Sequence, residues 1–475
     1  MCSFKLLRIG ISLLKKRLIL DAEDEGGGEK MVQNKSGKKA PSTCGMDDNF
    51  SDLHEPLSEL QAKAEAARCL YCFDAPCITA CPTSIDIPTF IHQIRSGNPT
   101  GSARTILSEN IMGGTCARAC PTEILCEQAC VLNASDEQPV EIGSLQRHAV
   151  DHLMAQGGSH PFEREKSSGK HIAIIGAGPA GLACAHRAAM LGHGVTVFEA
   201  KSKPGGLNEY GLAAYKMVDD FAQKEADFIQ AIGGIEIRYH QKLGDNLSLN
   251  ELRDTFDAVY LAIGLGNTNA LGLEGEDMDG VMDAVDFIEA LRQAKDKSSV
   301  SVGQDVIVIG AGNTAIDAAI QSKRLGAETV TLVYRRGETD MSATDFEIAL
   351  ARTNDVHIRL WSSPKAIKGE GEVSAMAFDR MVFEDGKLTP TGQSYELRAD
   401  MVLKAIGQKL DMAALESFEV KAGKLVVDES FQTSISGVFA GGDAIKSGED
   451  LTVQAVEDGK QAAHAMDMFL NTGGR

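Results

Sequence analysis

Eight of the eleven cysteines of this chain fall between Cys69 and Cys130. They read Cys69-x2-Cys72-x4-Cys77-x3-Cys81-Pro82, then Cys116-x3-Cys120-Pro121 and Cys126-x3-Cys130. Thiolates are soft ligands, and this many in so short a stretch supply two four-ligand sites. Runs that end in Cys-Pro follow the ferredoxin style of iron–sulfur ligation, in which the last cysteine of a run serves the other cluster. The x4 gap departs from the x2 of ferredoxins. Zinc is the alternative, because paired CxxC segments also build zinc ribbons, but a structural zinc supplies no electron path.

Two glycine-rich turns have the chemistry of phosphate cradles. Gly176-Ala177-Gly178-Pro179-Ala180-Gly181 follows the apolar run His171 to Ile175 and opens a helical segment. In that context Gly176 permits the turn, Gly178 lets the backbone approach a pyrophosphate, and Gly181 allows helix–strand contact. Glu199 ends the next strand, 18 residues after Gly181, where a carboxylate accepts ribose hydroxyls. The second turn is Gly310-Ala311-Gly312-Asn313-Thr314-Ala315, again directly after an apolar run, Val306 to Ile309. At the end of its second strand stand Tyr334-Arg335-Arg336. Paired guanidinium groups there suit a 2′-phosphate; an exposed pair without a ligand is the alternative. Near the C-terminus a short strand leads to Gly441-Gly442-Asp443, and a helix opens at Leu451-Thr452, whose N-terminus favours negative charge on a bound ring.

The elements that must position these residues change character along the chain. Residues 55–68, 88–108 and 139–155 have helical spacing, with Ile142, Leu145, Ala149 and Leu153 on one face. They make a small, mostly α module around the cysteines. After the polar, glycine-punctuated segment 157–169 the chain alternates apolar β runs, glycine turns and helices, the pattern of parallel sheets wound with helices. The expected divisions are a disordered tail over 1–45, a helical cysteine domain over 46–160, a first nucleotide fold over 161–287 and again over 406–475, and a second over 288–405. The basic, Leu/Ile-rich stretch within the tail has an alternative as an amphipathic membrane-surface helix, although Arg8 and Lys15-Lys16-Arg17 interrupt its apolar positions.

Composition narrows the partners. Forty-seven basic against 67 acidic side chains give a formal charge of −20, which disfavours nucleic acid and anionic membrane as main partners. No run of 18 apolar residues is present, so no membrane span is expected. Clustered thiols in a long acidic chain without a recognisable signal peptide point to the cytoplasm.

Together these features resemble the flavoprotein family of the glutamate synthase small subunit and the N-terminal half of dihydropyrimidine dehydrogenase. The resemblance covers about residues 55–470. Its specific elements are the cysteine block, GAGPAG, Pro204-Gly205-Gly206-Leu207, GAGNTAID, VYRR with Met341-Ser342-Ala343, and AGGDA. It implies an α/β chain with two Rossmann-like dinucleotide-binding folds, the second inserted in the first, behind a helical domain with two 4Fe–4S clusters. FAD then lies in the first fold, with Gly206, Leu207, Asp443 and Thr452 among its contacts, and the nicotinamide nucleotide lies in the second. The TCARACPTEILCEQAC block and Gln146 favour the branch of the flavin/iron–sulfur subunit of bacterial NAD-dependent dihydropyrimidine dehydrogenase. By this likeness Cys69, Cys72, Cys77 and Cys130 hold one cluster, Cys81, Cys120, Cys126 and Gln146 the other, and Cys116 is left over. Pattern alone reads Gln146 as a solvated helix residue.

The resemblance implies that hydride from NAD(H), rather than NADP(H), passes to FAD and that single electrons leave through the clusters. The destination is a separate FMN/iron–sulfur subunit that reduces uracil and thymine, in a hetero-oligomer. Arg335 and Arg336 point instead to NADP. Three other readings stand beside this one: a glutamate synthase small subunit, a disulfide reductase using Cys69 and Cys72, and a scaffold that binds no flavin.

Overall fold

The computed structural model describes residues 46–135 and 137–473; the reading of 1–45 as a disordered tail falls outside them. The cysteine domain is built from helices α1 (Glu59–Ala66), α2 (Ile87–Arg95), α3 (Pro99–Glu109), α4 (Gly113–Ala119) and α5 (Ile142–Gln156). Their starts follow from local chemistry. Ser58 caps α1 in a capping box with Gln61, and Asp86 Oδ1 accepts from Thr89 N at 3.2 Å to start α2. The expected helical stretch 88–108 is two helices, because Gly97 turns the chain with φ +80° and Asn98 and Pro99 open α3 anew.

The first nucleotide fold contains β1 (His171–Ile175), α6 (Pro179–Met190), β2 (Gly194–Phe198), α7 (Phe221–Gln230), β3 (Ile235–Arg238) and β4 (Ala258–Leu261). The second contains β5 (Val281–Asp283), α8 (Ala284–Gln293), β6 (Asp305–Ile309), α9 (Asn313–Leu325), β7 (Thr329–Val333), α10 (Asp345–Thr353) and β8 (His357–Arg359). An antiparallel meander, β9 (Ser362–Gly369), β10 (Val373–Glu384) and β11 (Lys387–Arg398), precedes its last strand, β12 (Met401–Lys404). The chain then returns to the first fold with β13 (Val438–Ala440) and α11 (Thr452–Asn471).

Both five-stranded sheets are parallel throughout, in the orders β13-β4-β1-β2-β3 and β5-β12-β6-β7-β8. The second fold is therefore an insertion between β4 and β13. The division expected at 287/288 is displaced: it cuts through α8, and β5 before it already pairs with β12. The cause is burial. Ala284, Phe287, Ile288 and Leu291 of α8 pack in the core of the second fold. The cysteine domain has no separate core, because Phe90, Ile106 and Leu145 join Ile172, Ile174 and Val197 in one cluster. Among the described residues no helix is long and apolar enough to cross a membrane.

Candidate functional site

Cys69, Cys72, Cys77 and Cys130 come from two loops and line one cavity, walled by Ile87, Ile91, Leu132 and Ile142. Burial pushes the Cys69 thiol up, and Cys72 and Cys130 beside it add to the effect. Cys77 is pushed up to about 11 by burial and by Cys69 and Cys130. Four close, partly buried thiols resist ionisation together and favour a cationic core that holds them all as thiolates. Among the described residues no three His, Cys, Asp or Glu side chains converge as ligands of a single metal ion do. A cluster of four irons and four sulfides needs its ligands further apart, around a cavity.

The second group is buried more deeply. Cys120 is raised well above the usual thiol range by a bond to Cys116 and by burial, with Cys126 and Cys81 close by. Cys126 is raised by burial and by its neighbours Glu127, Cys81 and Cys77. Gln146 is buried on the inner side of α5, and its Nε2 donates to Gly113 O at 2.7 Å. That bond fixes the amide with Oε1 as the atom left for a ligand. The residues present thus offer two sets of four donors.

Sequence reasoning missed what holds this region. Glu225, on α7 of the first nucleotide fold, accepts at Oε1 from Gly114 N at 2.9 Å and Thr115 N at 3.0 Å. Thr115 Oγ1 donates to its Oε2. A carboxylate of one domain thereby caps the N-terminus of the helix that leads to Cys120 in another. Complete burial pushes Glu225 up to about 7 against these bonds and Arg118. No local pattern signals a pair more than a hundred residues apart.

In the first glycine turn Gly176 has φ +101° and a Cβ there would lie 2.3 Å from Ala262 O. Gly310 in the second turn has φ +140°, and its Cβ would lie 2.1 Å from Ala405 O. The bonds repeat as well. Gly176 N donates to Phe198 O at 2.8 Å, and Gly310 N donates to Val333 O at 3.1 Å. Each turn is thus pinned by the end of its own second strand and by the next strand over.

Gly178 is different, since a Cβ there would meet only Gly206 Cα, at 3.7 Å. Gly205 N donates to Ala177 O at 2.7 Å, which lays the Pro204–Leu207 loop on the turn. Leu207 is exposed. The next residue, Asn208, accepts at Oδ1 from Thr452 Oγ1 at 2.8 Å, so the same loop reaches the start of α11. Asn208 Nδ2 is buried without a partner. Glu199 is buried and already accepts from Ala177 N at 2.8 Å and Lys201 N at 2.7 Å, leaving lone pairs on both oxygens. Asp443 follows β13, half-buried, and is pushed up to about 6 by burial and by Asp450, against Lys424. All of these lie at the carboxyl ends of the strands, where open α/β sheets bind ligands.

In the second fold Gly312 precedes α9, and Asn313 Oδ1 is another buried atom without a partner. Thr314 follows it in the first turn of α9, half-buried. Ala343 N donates to Ala311 O at 3.0 Å, which folds the Met341–Ala343 segment onto the turn. Arg335 and Arg336 are exposed beyond β7. The two turns each have a backbone cradle and an orphaned amide atom, so both fit a dinucleotide.

The class follows from this arrangement. Residues 170–459 match the family described as pyridine nucleotide-disulphide oxidoreductase, and residues 46–158 match dihydropyrimidine dehydrogenase domain II, 4Fe-4S cluster. The chain belongs to the pyridine nucleotide-disulphide oxidoreductase family and carries an iron–sulfur domain ahead of its two nucleotide folds. It is 35% identical over 425 residues to the NAD-dependent dihydropyrimidine dehydrogenase subunit PreT of Salmonella typhimurium, covering 89% of this chain and 98% of that protein. It is 34% identical over 446 residues to the glutamate synthase (NADPH) small chain of Escherichia coli, covering 89% and 94%. Among solved structures it is similar in fold to Mycobacterium tuberculosis FprA in complex with NADPH, with a TM-score of 0.55 and 20% identity over 64% of this chain and 85% of that one. Lactococcus lactis thioredoxin reductase gives 0.53 and 22%, over 64% and 99%.

Proposed function

We propose that this chain is the electron-input subunit of a dihydropyrimidine dehydrogenase. It takes hydride from NAD(P)H and delivers single electrons to a separate FMN-containing iron–sulfur subunit, which reduces uracil and thymine to dihydropyrimidines in pyrimidine catabolism. The observation that carries this reading is the buried Gln146, whose amide N–H holds Gly113 O. A glutamate there, the residue of the glutamate synthase branch, makes that bond only when protonated. The name of the Salmonella relative points the same way.

In this reading Cys69, Cys72, Cys77 and Cys130 hold one 4Fe–4S cluster and Cys81, Cys120, Cys126 and Gln146 hold the other. Gly176, Gly178, Gly181, Glu199, Gly206, Leu207, Asp443 and Thr452 bind FAD. Gly310, Gly312, Asn313, Thr314, Arg335 and Arg336 bind the nicotinamide nucleotide, NAD(H) in preference to NADP(H). Flavin, when bound, accepts electrons in pairs and releases them singly, which joins a nicotinamide to iron–sulfur centres. The protein's part is to bind and orient. The first turn of α11 has no side-chain cap, and its free N–H groups favour negative charge beside Thr452. Glu199 fixes the first glycine turn, and no side chain of this chain is required as a general acid.

A second reading, a glutamate synthase small subunit, is favoured by the exposed Arg335 and Arg336 and by the NADPH-linked relative. Anaerobic purification with metal and flavin analysis tests both. We expect about eight iron and eight sulfide per chain, with one FAD, bleached by NADH more readily than by NADPH, and uracil-dependent NADH oxidation once the FMN subunit is added. Zinc without sulfide overturns the electron-delivery reading. Glutamate formation from glutamine with a synthase partner, and none of the uracil activity, replaces the first reading with the second.

A further inference from the structure

The two cysteine groups face different surroundings. The one containing Cys120 is packed toward the first nucleotide fold, where Glu225 caps its helix and Lys460 of α11 reaches Glu109 Oε2 at 3.0 Å. The one containing Cys69 is bordered by exposed apolar side chains. Phe73 is 99% exposed, Leu70 62% and Val131 37%. Leu70 and Val131 line the same cavity as the four thiols, and Phe73 follows Cys72 directly.

The loop is built to present them. Tyr71 adopts φ +52°, which non-glycine residues rarely hold. Its hydroxyl donates to Ala66 O at 3.1 Å, and its ring meets His92 edge-on at 5.4 Å. With Tyr71 held inward, Leu70 and Phe73 on either side stay exposed. Scattered exposed apolar residues are ordinary, but these three sit on the two loops that supply one cavity's thiols. Asp74 is the only charged residue among 69–77, and 130–134 has none. An uncharged, aromatic-bearing centre is the composition of a protein interface core, and it lacks the basic flanks of a lipid-binding face.

We propose that Leu70, Phe73 and Val131 form the docking surface for the electron-accepting protein, with Phe73 as an anchor that enters an apolar pocket of that partner. The partner is a redox protein whose own one-electron centre lies beneath an apolar surface, because electron transfer weakens steeply with separation. No bond forms at this surface. What crosses is one electron at a time, two for each hydride taken from a nicotinamide, and the accepting centre is reduced by the same count. This inference rests on the electron-delivery reading above.

The test uses the full-length holoprotein in the cell it comes from, with the photo-crosslinking residue p-benzoylphenylalanine at position 73. The control position is 383, whose Phe is 59% exposed on β10. We expect position 73 alone to capture a protein that carries its own flavin or iron–sulfur centre. Phe73→Asp is expected to slow NADH-dependent reduction of that purified protein at least tenfold, with iron content, flavin content and NADH-driven ferricyanide reduction at parental levels. Capture of a second copy of this chain, of residues 1–45 or of a protein without a redox centre overturns the proposal, as does the absence of a crosslink or undiminished transfer by Phe73→Asp. Holoprotein devoid of iron and flavin instead overturns the functional reading on which the surface depends.

Discussion

The two nucleotide folds share a backbone and part company at one place. In both, the first glycine of the turn donates to the last residue of the second strand and lies against the carbonyl of the residue after the neighbouring strand, Ala262 or Ala405. Beyond that second strand the first fold has Glu199, buried and bonded to its own glycine turn, while the second has Arg335 and Arg336, exposed to solvent. The comparison separates two jobs. The turn shapes a pyrophosphate cradle and is nearly indifferent to which nucleotide fills it; the residues past the second strand read the ribose end.

The strongest way to break this comparison is at the pinned glycines. Gly176→Val and Gly310→Val each place a branched side chain at positive φ against a carbonyl, and each is expected to cost about 3 kcal/mol or more. Thermal melting checks this, and near-parental melting of either variant shows that its turn is not pinned as described. Gly178→Val, with open space at its Cβ, is expected to fold yet retain less than a tenth of the flavin, measured by absorbance after desalting. Arg335→Glu with Arg336→Glu is expected to raise KM for NADPH about tenfold more than KM for NADH, about 1.4 kcal/mol of discrimination. Equal effects on both nucleotides place the arginines away from the 2′ position.

The smallest effect concerns Asp443. Its folded-state affinity for protons is raised by burial, to about 6 from a usual 3.8, so the stability tied to its protonated form is present at low pH and is lost as pH rises through 6. In flavin-stripped protein, Asp443→Asn is expected to melt about 2–4 °C above the parent at pH 7, with the gain disappearing toward pH 4. A gain that is the same at both ends of that range shows that ionisation of Asp443 is not its source.

What could be read from the sequence follows from these same constraints. Gly176 and Gly310 were legible because positive φ and a carbonyl in van der Waals contact leave glycine alone, and such a requirement prints itself as a motif. The cysteine spacing was legible for a similar reason. The antiparallel meander within the second fold was not foreseen, although Asp385-Gly386, with φ +51° and +75°, is a strong hairpin signal between β10 and β11. Gln146 entered through resemblance alone, because a polar residue on an amphipathic helix is ordinarily on its wet face. Least legible were the pairs that tie domains together: Glu225 to the start of α4, and Lys216 to Asp317 at 2.7 Å. They are brought together by tertiary folding and leave no period to detect.

The insertion of one fold within the other sets an order of assembly. Strands β1 to β4 leave the ribosome long before β13, with residues 262–437 between them. At roughly 5–20 residues per second that gap lasts about 9–35 s, during which one edge of β4 has no neighbour. The sheet begun first is therefore finished last, and a nucleotide that must touch both Gly178 and Asp443 is captured only after the second fold has been made.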